Sequence, residues 1–401
     1  MTFKTHVEQK THLSSLGLDD IDKTDHSRHE SATFRDNYAR LGPSTRYRGS
    51  KRKLAGWLAE TLEPIHFHSA MDLMAGTGSV SYLLKSMGKQ VVANDILHSN
   101  YMSLLAVIQN SKTILTDQEV DWLLERHHGV SYSEFIQETF ANFYYKKSEN
   151  AWLDMIAANI EQLPGGPSIE RNYKQAISRH ALVQACLMKR PFNLFHRKNL
   201  YIRTANVHRS FGNKTTWETP FVVLFRRMVQ EANSHVFCNG QENHAMQADA
   251  LCLRGGKVDL LYIDPPYFRS EQDRAASNYR RLYHFVEGLV RYSEWPSKID
   301  VKDRLKALKE DDHSSGKLFS CKRENFKEEF LDWFQQLLDA WPDSKVLVSY
   351  KRPGIPSQAA IKKLIERTGR LVSIRTKPYK YALNHMNGAP NQNIELLFLG
   401  T

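Results

Sequence analysis

The sequence predicts an α/β fold in which a doubly wound, mostly parallel sheet is interrupted by a largely helical insert. Three observations carry that prediction: a strand, glycine turn, helix and strand in succession over residues 68–95; a near-continuous apolar run at residues 258–263; and a long stretch between them that loses the rhythm. Size agrees with it, since 401 residues of which 41% are apolar fill one large core with a smaller unit beside it.

Residues 1–40 mix His, Asp, Ser, Lys and Thr with few apolar positions, the composition of a flexible N-terminal arm. Leu54, Trp57, Leu58 and Leu62 then fall at helical spacing, and an apolar strand at residues 68–73 runs into Ala75-Gly76-Thr77-Gly78. A helix carrying Val80, Leu83 and Leu84 and a strand at residues 90–95 follow. Such a crossover lays two parallel strands side by side with the glycine turn at their carboxyl edge, where doubly wound sheets bind ligands. Residues 111–243 read as an inserted domain, helical in its first half and basic and turn-rich around residues 189–214, which leaves residues 41–110 and 244–401 as the main domain. The run at residues 258–263 has the pattern of a strand buried on both faces. A helix at residues 326–341 places Phe330, Phe334, Leu337, Leu338 and Trp341 on one stripe, and strands at residues 345–350, 371–376 and 394–399 complete the sheet.

A net charge of +11 suits a polyanionic partner, nucleic acid first, or serves solubility alone. Cys186, Cys238, Cys252 and Cys321 show no paired spacing, so buried reduced thiols are expected rather than a zinc site or disulfides. No apolar run has the length of a membrane span and residues 1–45 lack a signal-peptide core, which predicts a cytoplasmic protein.

Two constellations carry chemistry. In Asp72-Leu73-Met74-Ala75-Gly76-Thr77-Gly78 the glycines let the backbone approach a ligand. Nucleotide-binding and purely structural units share such turns, but Asp95, seventeen residues past Gly78, is placed to accept both ribose hydroxyls of an adenosine cofactor. The third glycine of a dinucleotide fingerprint is missing, which argues against nicotinamide or flavin.

The second constellation is Asp264-Pro265-Pro266-Tyr267, directly after the buried strand. Its two proline rings stiffen the loop, and chance produces a given tetrapeptide of this kind on the order of once in a thousand chains of this length. A proline-rich strand exit is the structural alternative. The chemistry that needs such a loop is methyl transfer to an aromatic amine, a poor nucleophile because its lone pair is delocalised. The Asp264 carboxylate and the Pro265 carbonyl can each accept one amine hydrogen, draw the nitrogen toward tetrahedral geometry and stabilise the growing positive charge. Such bonds contribute roughly 1.5 to 3 kcal/mol each. Tyr267 can stack on the base for roughly 1 to 3 kcal/mol, comparable with the cost of taking a base out of the duplex.

With these segments the chain, over most of residues 45–401, resembles the DNA adenine-specific methyltransferases, in particular the Dam-like alpha group that includes restriction-modification methylases. The resemblance implies a Rossmann-like S-adenosylmethionine methyltransferase fold, an insert that serves target recognition, and site-specific methylation of the 6-amino group of a flipped adenine in double-stranded DNA. It also implies a prokaryotic setting, cytoplasm or nucleoid, with a cognate restriction enzyme as a candidate partner and neither membrane nor metal. In that family a lysine segment precedes the glycine turn, and Arg46-Tyr47-Arg48-Gly49-Ser50-Lys51 is similar to it, so that Tyr47 and Lys51 would contact the methionine end of the cofactor. By the same likeness Asp72, Met74, Ala75, Gly76 and Gly78 form the cofactor turn, with Met74 where phenylalanine is common. Asp95 would bind the ribose and Asp249 the cofactor's adenine, Ile96 and Ala250 would line the cofactor site beside them, and Asp264, Pro265, Pro266 and Tyr267 would be catalytic. Residues 279–295, with Tyr283-His284-Phe285-Val286-Glu287-Gly288-Leu289, resemble the segment after the loop in restriction-type members.

In the insert, Lys189, Arg190, Arg197, Lys198, Arg203, Arg209 and Lys214 alternate with Phe192, Phe195, Tyr201, Phe211 and Trp217. That interleaving suits phosphate contact with stacking or groove insertion, or else a small core with a solvated basic face. Three rivals stand beside adenine methylation. A guanine-amine methyltransferase of structured RNA uses a similar loop, though the long insert argues against it. Cytosine-amine methylation more often has Ser at the first loop position. A non-catalytic nucleic-acid-binding protein of this fold has no need of the intact Asp264 and Asp95.

Overall fold

Alternation along the strands decides how the sheet is covered. The computed structural model describes residues 42–205, 214–253, 257–266, 268, 278–309, 326–379 and 393–401. The N-terminal arm, Arg209, Tyr267 and Cys321 lie outside the described residues. Seven strands, β1 (Ser69–Asp72), β2 (Gln90–Asn94), β3 (His244–Met246), β4 (Leu260–Ile263), β5 (Lys345–Arg352), β6 (Val372–Pro378) and β7 (Ile394–Gly400), form one sheet in the order β3-β2-β1-β4-β5-β7-β6. β7 runs antiparallel to β5 and β6, and the other pairings are parallel. Ala70, Val91, Leu260 and Tyr262 face one apolar core, while Met71, Leu73, Leu261 and Ile263 face the other. This period of two is what a strand buried on both faces requires.

The first face is covered by helices α1 (Ala55–Leu62), α2 (Ser79–Ser86) and α3 (His98–Leu104), the last running on into a π turn at Leu105–Gln109. The insert is helical in its described residues, with α4 (Asp117–Leu124), α5 (Lys147–Glu161), α6 (Ile169–Met188) and α7 (Phe221–Ser234) as its longer elements. Thr116 and Glu119 close a capping box at the start of α4, and the Ser168 hydroxyl accepts the Arg171 N–H at the start of α6, satisfying amides that a helix leaves open. α6 packs on α3 and α7, and its Leu182, Ala185 and Leu187 join the same core as Val91 and Leu260. The insert therefore shares the main domain's core. A short helix α8 (His284–Leu289) leans on α3 and α6. α9 (Phe326–Asp339) and α10 (Gln358–Arg367) cover the second face, the former through Phe330, Phe334, Leu337 and Leu338.

The observed strands keep the expected places with shifted ends. β2 stops at Asn94, so Asp95 turns off the sheet edge, and β5 extends to Arg352. β3 is not foreseen, because three residues with no apolar run carry no strand signal. The expectation of buried thiols holds for Cys186 and fails for Cys238 and Cys252, which are exposed. Cys238 lies just after α7, where the chain runs over the surface to β3, and Cys252 ends a short surface turn after it. Among the described residues no helix is long and apolar enough to cross a membrane.

Candidate active site

β1, β2 and β4 end in register on one edge, with Asp72 opposite Ala93 and Tyr262. The turn that leaves β1 there needs its glycines. Gly76 and Gly78 have φ of 55° and 85°, and a Cβ on Gly78 would stand 2.9 Å from Leu104 Cδ2. On Gly76 it would meet the Tyr47 ring at 3.1 Å. That ring belongs to the segment before α1, which lies across the turn through a Thr45–Thr77 hydroxyl pair at 2.7 Å and a Ser50–Ser79 pair at 2.9 Å. Tyr47 also stacks on Tyr283 and Tyr279, with centroids 4.9 and 5.7 Å apart. Between these parts lies a cavity of about 370 Å³.

The cavity wall contains every cofactor residue expected from the sequence except Gly78, which sits behind it, and contains Asp264, Pro265 and Pro266 as well. Met74 and Ala75 supply wall on the turn itself, while Ile96, 41% exposed, presents an apolar side chain beyond β2. Ala250 adjoins Asp249, whose carboxylate accepts the Leu251 N–H at 3.0 Å.

Three carboxylates, Asp95, Asp72 and Asp264, shape the electrostatics. Asp95 braces the turn: Oδ2 accepts the Gly76 N–H at 2.8 Å, and Oδ1 accepts from Leu97 N at 2.8 Å and Asn100 Nδ2 at 3.1 Å. Burial pushes its carboxyl up to about 6 against the pull of those hydrogen bonds. Asp72 Oδ2 accepts the Ser81 hydroxyl at 2.7 Å and the Met74 N–H also favours the carboxylate, while its buried Oδ1 has no hydrogen-bond partner. Burial lifts it to about 7, and the charges of Asp264 and Asp95 add to the rise. Asp264 is held by Lys51, Nζ to Oδ1 3.0 Å, and burial raises its carboxyl while Lys51 opposes the rise. A buried acceptor without a donor, beside two further acids, makes a cavity wall suited to a ligand bearing positive charge and hydroxyls.

Three residues here escape sequence reasoning. Asn94, 1% exposed, clamps the strand ends: its Nδ2 donates to the carbonyls of Leu73 and Ala248, and its Oδ1 accepts the Ala248 N–H. Glu287 accepts the His98 and Ser99 N–H groups at 3.0 and 2.7 Å, capping α3 at the cavity. Glu395, 1% exposed on β7, lies 3.9 Å from Lys51 Nζ. Its one sequence signal is an acid inside an otherwise apolar strand.

The basic insert divides. Lys189, Arg190 and Arg203 are 1%, 1% and 8% exposed, so the expectation that they meet DNA is corrected. Glu149 receives Lys189 at 3.0 Å and Arg203 at 2.7 Å. Arg190 bonds the carbonyls of Leu194 and Arg197 and lies over the Tyr144 and Phe195 rings. The interleaved aromatics there form core, and the cations knit a turn-rich segment to it. Arg197, Lys198 and Lys214 are exposed, as are Phe192 and Tyr201 at 41% and 67%.

Comparison with known proteins identifies the family. A family model described as D12 class N6 adenine-specific DNA methyltransferase matches residues 47–336. Type II methyltransferase M2.HphI of Haemophilus parahaemolyticus is 28% identical over 370 residues, 89% of this chain and 97% of its own. Type II methyltransferase M.NlaIII of Neisseria lactamica is 24% identical over 365 residues, 88% of this chain and 98% of its own. Among solved structures, a magnesium protoporphyrin IX methyltransferase from Synechocystis PCC 6803 with bound SAM aligns over 96% of this chain and 99% of its own at 11% identity and a TM-score of 0.29, too distant to add to the strand order. The carboxylate-lined cavity, the Asp264 loop and a family match across most of the chain lead to one assignment: the chain belongs to the D12 class of N6 adenine-specific DNA methyltransferases.

Proposed function

We propose that this enzyme methylates a flipped adenine within a specific double-stranded DNA site, with Asp264 and Pro265 as the groups that receive the 6-amino hydrogens. The observation that carries the reading is that the Asp264-Pro265-Pro266 loop and the glycine turn open into one cavity. Bound S-adenosylmethionine, the family's donor, supplies an electrophilic methyl group on a sulfonium. The residues present fit it. Asp72 Oδ1, buried and without a hydrogen-bond partner, suits the cofactor's ammonium group, with Tyr47 and Lys51 at the same end. Asp95 suits the ribose hydroxyls, and Asp249, Ala250 and Ile96 the cofactor's adenine.

Asp264 acts first as a hydrogen-bond acceptor. Lys51 occupies Oδ1, which leaves the second oxygen for the amine. As the nitrogen gains positive charge the carboxylate stabilises it, and the same oxygen takes the proton the methylated amine sheds. Pro265 contributes its carbonyl to the other amine hydrogen, Pro266 holds the loop extended, and Tyr267 is assigned to stacking on the base from its place in the motif.

DNA contact falls to the exposed cations Arg197, Lys198 and Lys214, with the exposed rings of Phe192 and Tyr201 beside the first two in sequence, and Arg209 joins them from its sequence position. The two relatives are type II methyltransferases from bacteria, which supports a role in protecting DNA against a cognate restriction enzyme in a bacterial cytoplasm. The test is transfer of labelled methyl to unmethylated duplex DNA followed by nucleoside analysis. Methyladenine is expected, and Asp264→Ala is expected to lower the rate at least a thousandfold while cofactor affinity stays within a few-fold. Methylation by Asp264→Ala at the wild-type rate would overturn the mechanism.

A further inference from the structure

Behind the catalytic loop two acids reach one ammonium. Lys51 Nζ stands 3.0 Å from Asp264 Oδ1 and 3.9 Å from Glu395 Oε2, with Lys51 and Glu395 5% and 1% exposed. Glu395 is absent from the cavity wall and reaches the chemistry through Lys51. Its other charged neighbours act less. Lys351 and Lys377 lie opposite it in strand register, the Lys377 ammonium stands over the Trp57 ring at 5.9 Å, and Lys351 influences Glu395 less than Lys51 or Asp264 does. Tyr379 also faces the pair. Asp264 itself is faced by Lys51, Asp72, Tyr262 and Tyr279.

A carboxylate paired with an ammonium away from water is largely neutralised. That is the wrong state for an acceptor whose task is to stabilise an amine growing positive. A second acid on the same ammonium divides its charge. We propose that Glu395 is a positioning residue for methyl transfer: it draws on Lys51 so that this ammonium compensates the ionised Asp264 less and leaves it a stronger acceptor for the adenine amine. The proposal rests on the reading of Asp264 above.

The electrostatics follow the geometry. Burial holds both carboxyls above the usual carboxylate range, and the charge of Asp264 lifts Glu395 further. Repulsion is mutual, so the two acids titrate as a pair, and removing the Glu395 charge lets Asp264 release its proton at lower pH. Activity, which needs ionised Asp264, is lost as pH falls through its raised pKa.

Glu395→Gln keeps the shape and removes the charge. The single-turnover rate of methyl transfer is expected to fall roughly tenfold, the KM for DNA and for cofactor to stay within about twofold, and the acid limb of the rate profile to move to lower pH. In the protein without DNA or cofactor, the ¹³C carboxyl resonance of Asp264, assigned through Asp264→Asn, is expected to titrate at lower pH in the Gln variant. Glu395→Asp retains the charge and should restore most of the rate and the original acid limb, which separates the effect from a folding defect. A Gln variant with the wild-type rate and an unmoved limb overturns the proposal, as do Gln and Asp variants equally slow with unchanged Asp264 titration. An inactive Asp264→Ala beside a normal Glu395→Gln would remove only the Glu395 role; an active Asp264→Ala would remove both.

Discussion

Both the cofactor cradle and the basic insert bury charged side chains, yet they differ in how those charges are satisfied. In the insert, Glu149 meets Lys189 and Arg203 through one oxygen and the Lys146 N–H through the other, so this carboxylate is satisfied within the chain, although Arg203 Nε is left without a hydrogen-bond partner. In the cradle, Asp72 keeps a buried oxygen without a hydrogen-bond partner beside a cavity, with two further acids raising its carboxyl. Charges whose partners are all within the chain hold structure together. The unpartnered Asp72 oxygen belongs to a residue of the cavity wall, which suits it to a ligand rather than to a structural role.

The largest effect expected from this contrast lies in the insert. Glu149→Ala leaves two cations, with side chains 2% and 1% exposed, facing each other without an anion. A loss of roughly 3 to 5 kcal/mol of stability is expected, read by urea or thermal unfolding. Cofactor affinity of the folded fraction should not change. A stable Glu149→Ala variant with weakened DNA binding would instead return Lys189 and Arg203 to the DNA surface.

Asp72→Asn should behave in the opposite sense. An unfolded Asp ionises near 3.8 and the folded one near 7, so between these values the folded state keeps a proton that the unfolded state has released. Stability of the cofactor-free protein therefore falls as pH rises through this window, by at most about 4 kcal/mol. Asn carries no such penalty, and the variant should melt higher than wild type at pH 8 and alike below pH 4. Cofactor binding should weaken about a hundredfold at pH 8, measured by calorimetry, because the ammonium loses its anion. A variant that melts lower and binds normally would make Asp72 another Glu149.

The same contrast explains what was legible in the sequence. Asp72, Asp95 and Asp264 could be read because each ends a strand or directly follows one, and strand ends of a doubly wound sheet converge on one edge. Glu287 and Glu395 could not, since α8 and β7 are distant in sequence and only the folded register brings them to α3 and Lys51. Asn94 sits directly before Asp95, but an Asn at a strand end usually signals a turn, and its clamp on Leu73 and Ala248 needs β3, which has no pattern of its own. Lys189, Arg190 and Arg203 misled because composition counts charge and not burial. The flanking Phe195 and Trp217, now buried, were the better guide.

The smallest expected effects belong to the cations that remain exposed. Single Ala substitutions of Arg197 or Lys198 should weaken DNA binding roughly three- to tenfold at moderate salt and lower the slope of log affinity against log salt by about 1 each. Lys198 lies 3.6 Å from the centre of the Phe143 ring, an attraction that orients the ammonium without cancelling its charge. Lys214 should matter less than either. Glu218 stands 3.7 Å away one turn along the same short helix, so part of its charge is spoken for. Filter binding over a salt series distinguishes the cases: a flat response in all three variants would place the DNA on another face, and a loss confined to Lys214→Ala would show that Glu218 releases its partner when DNA arrives.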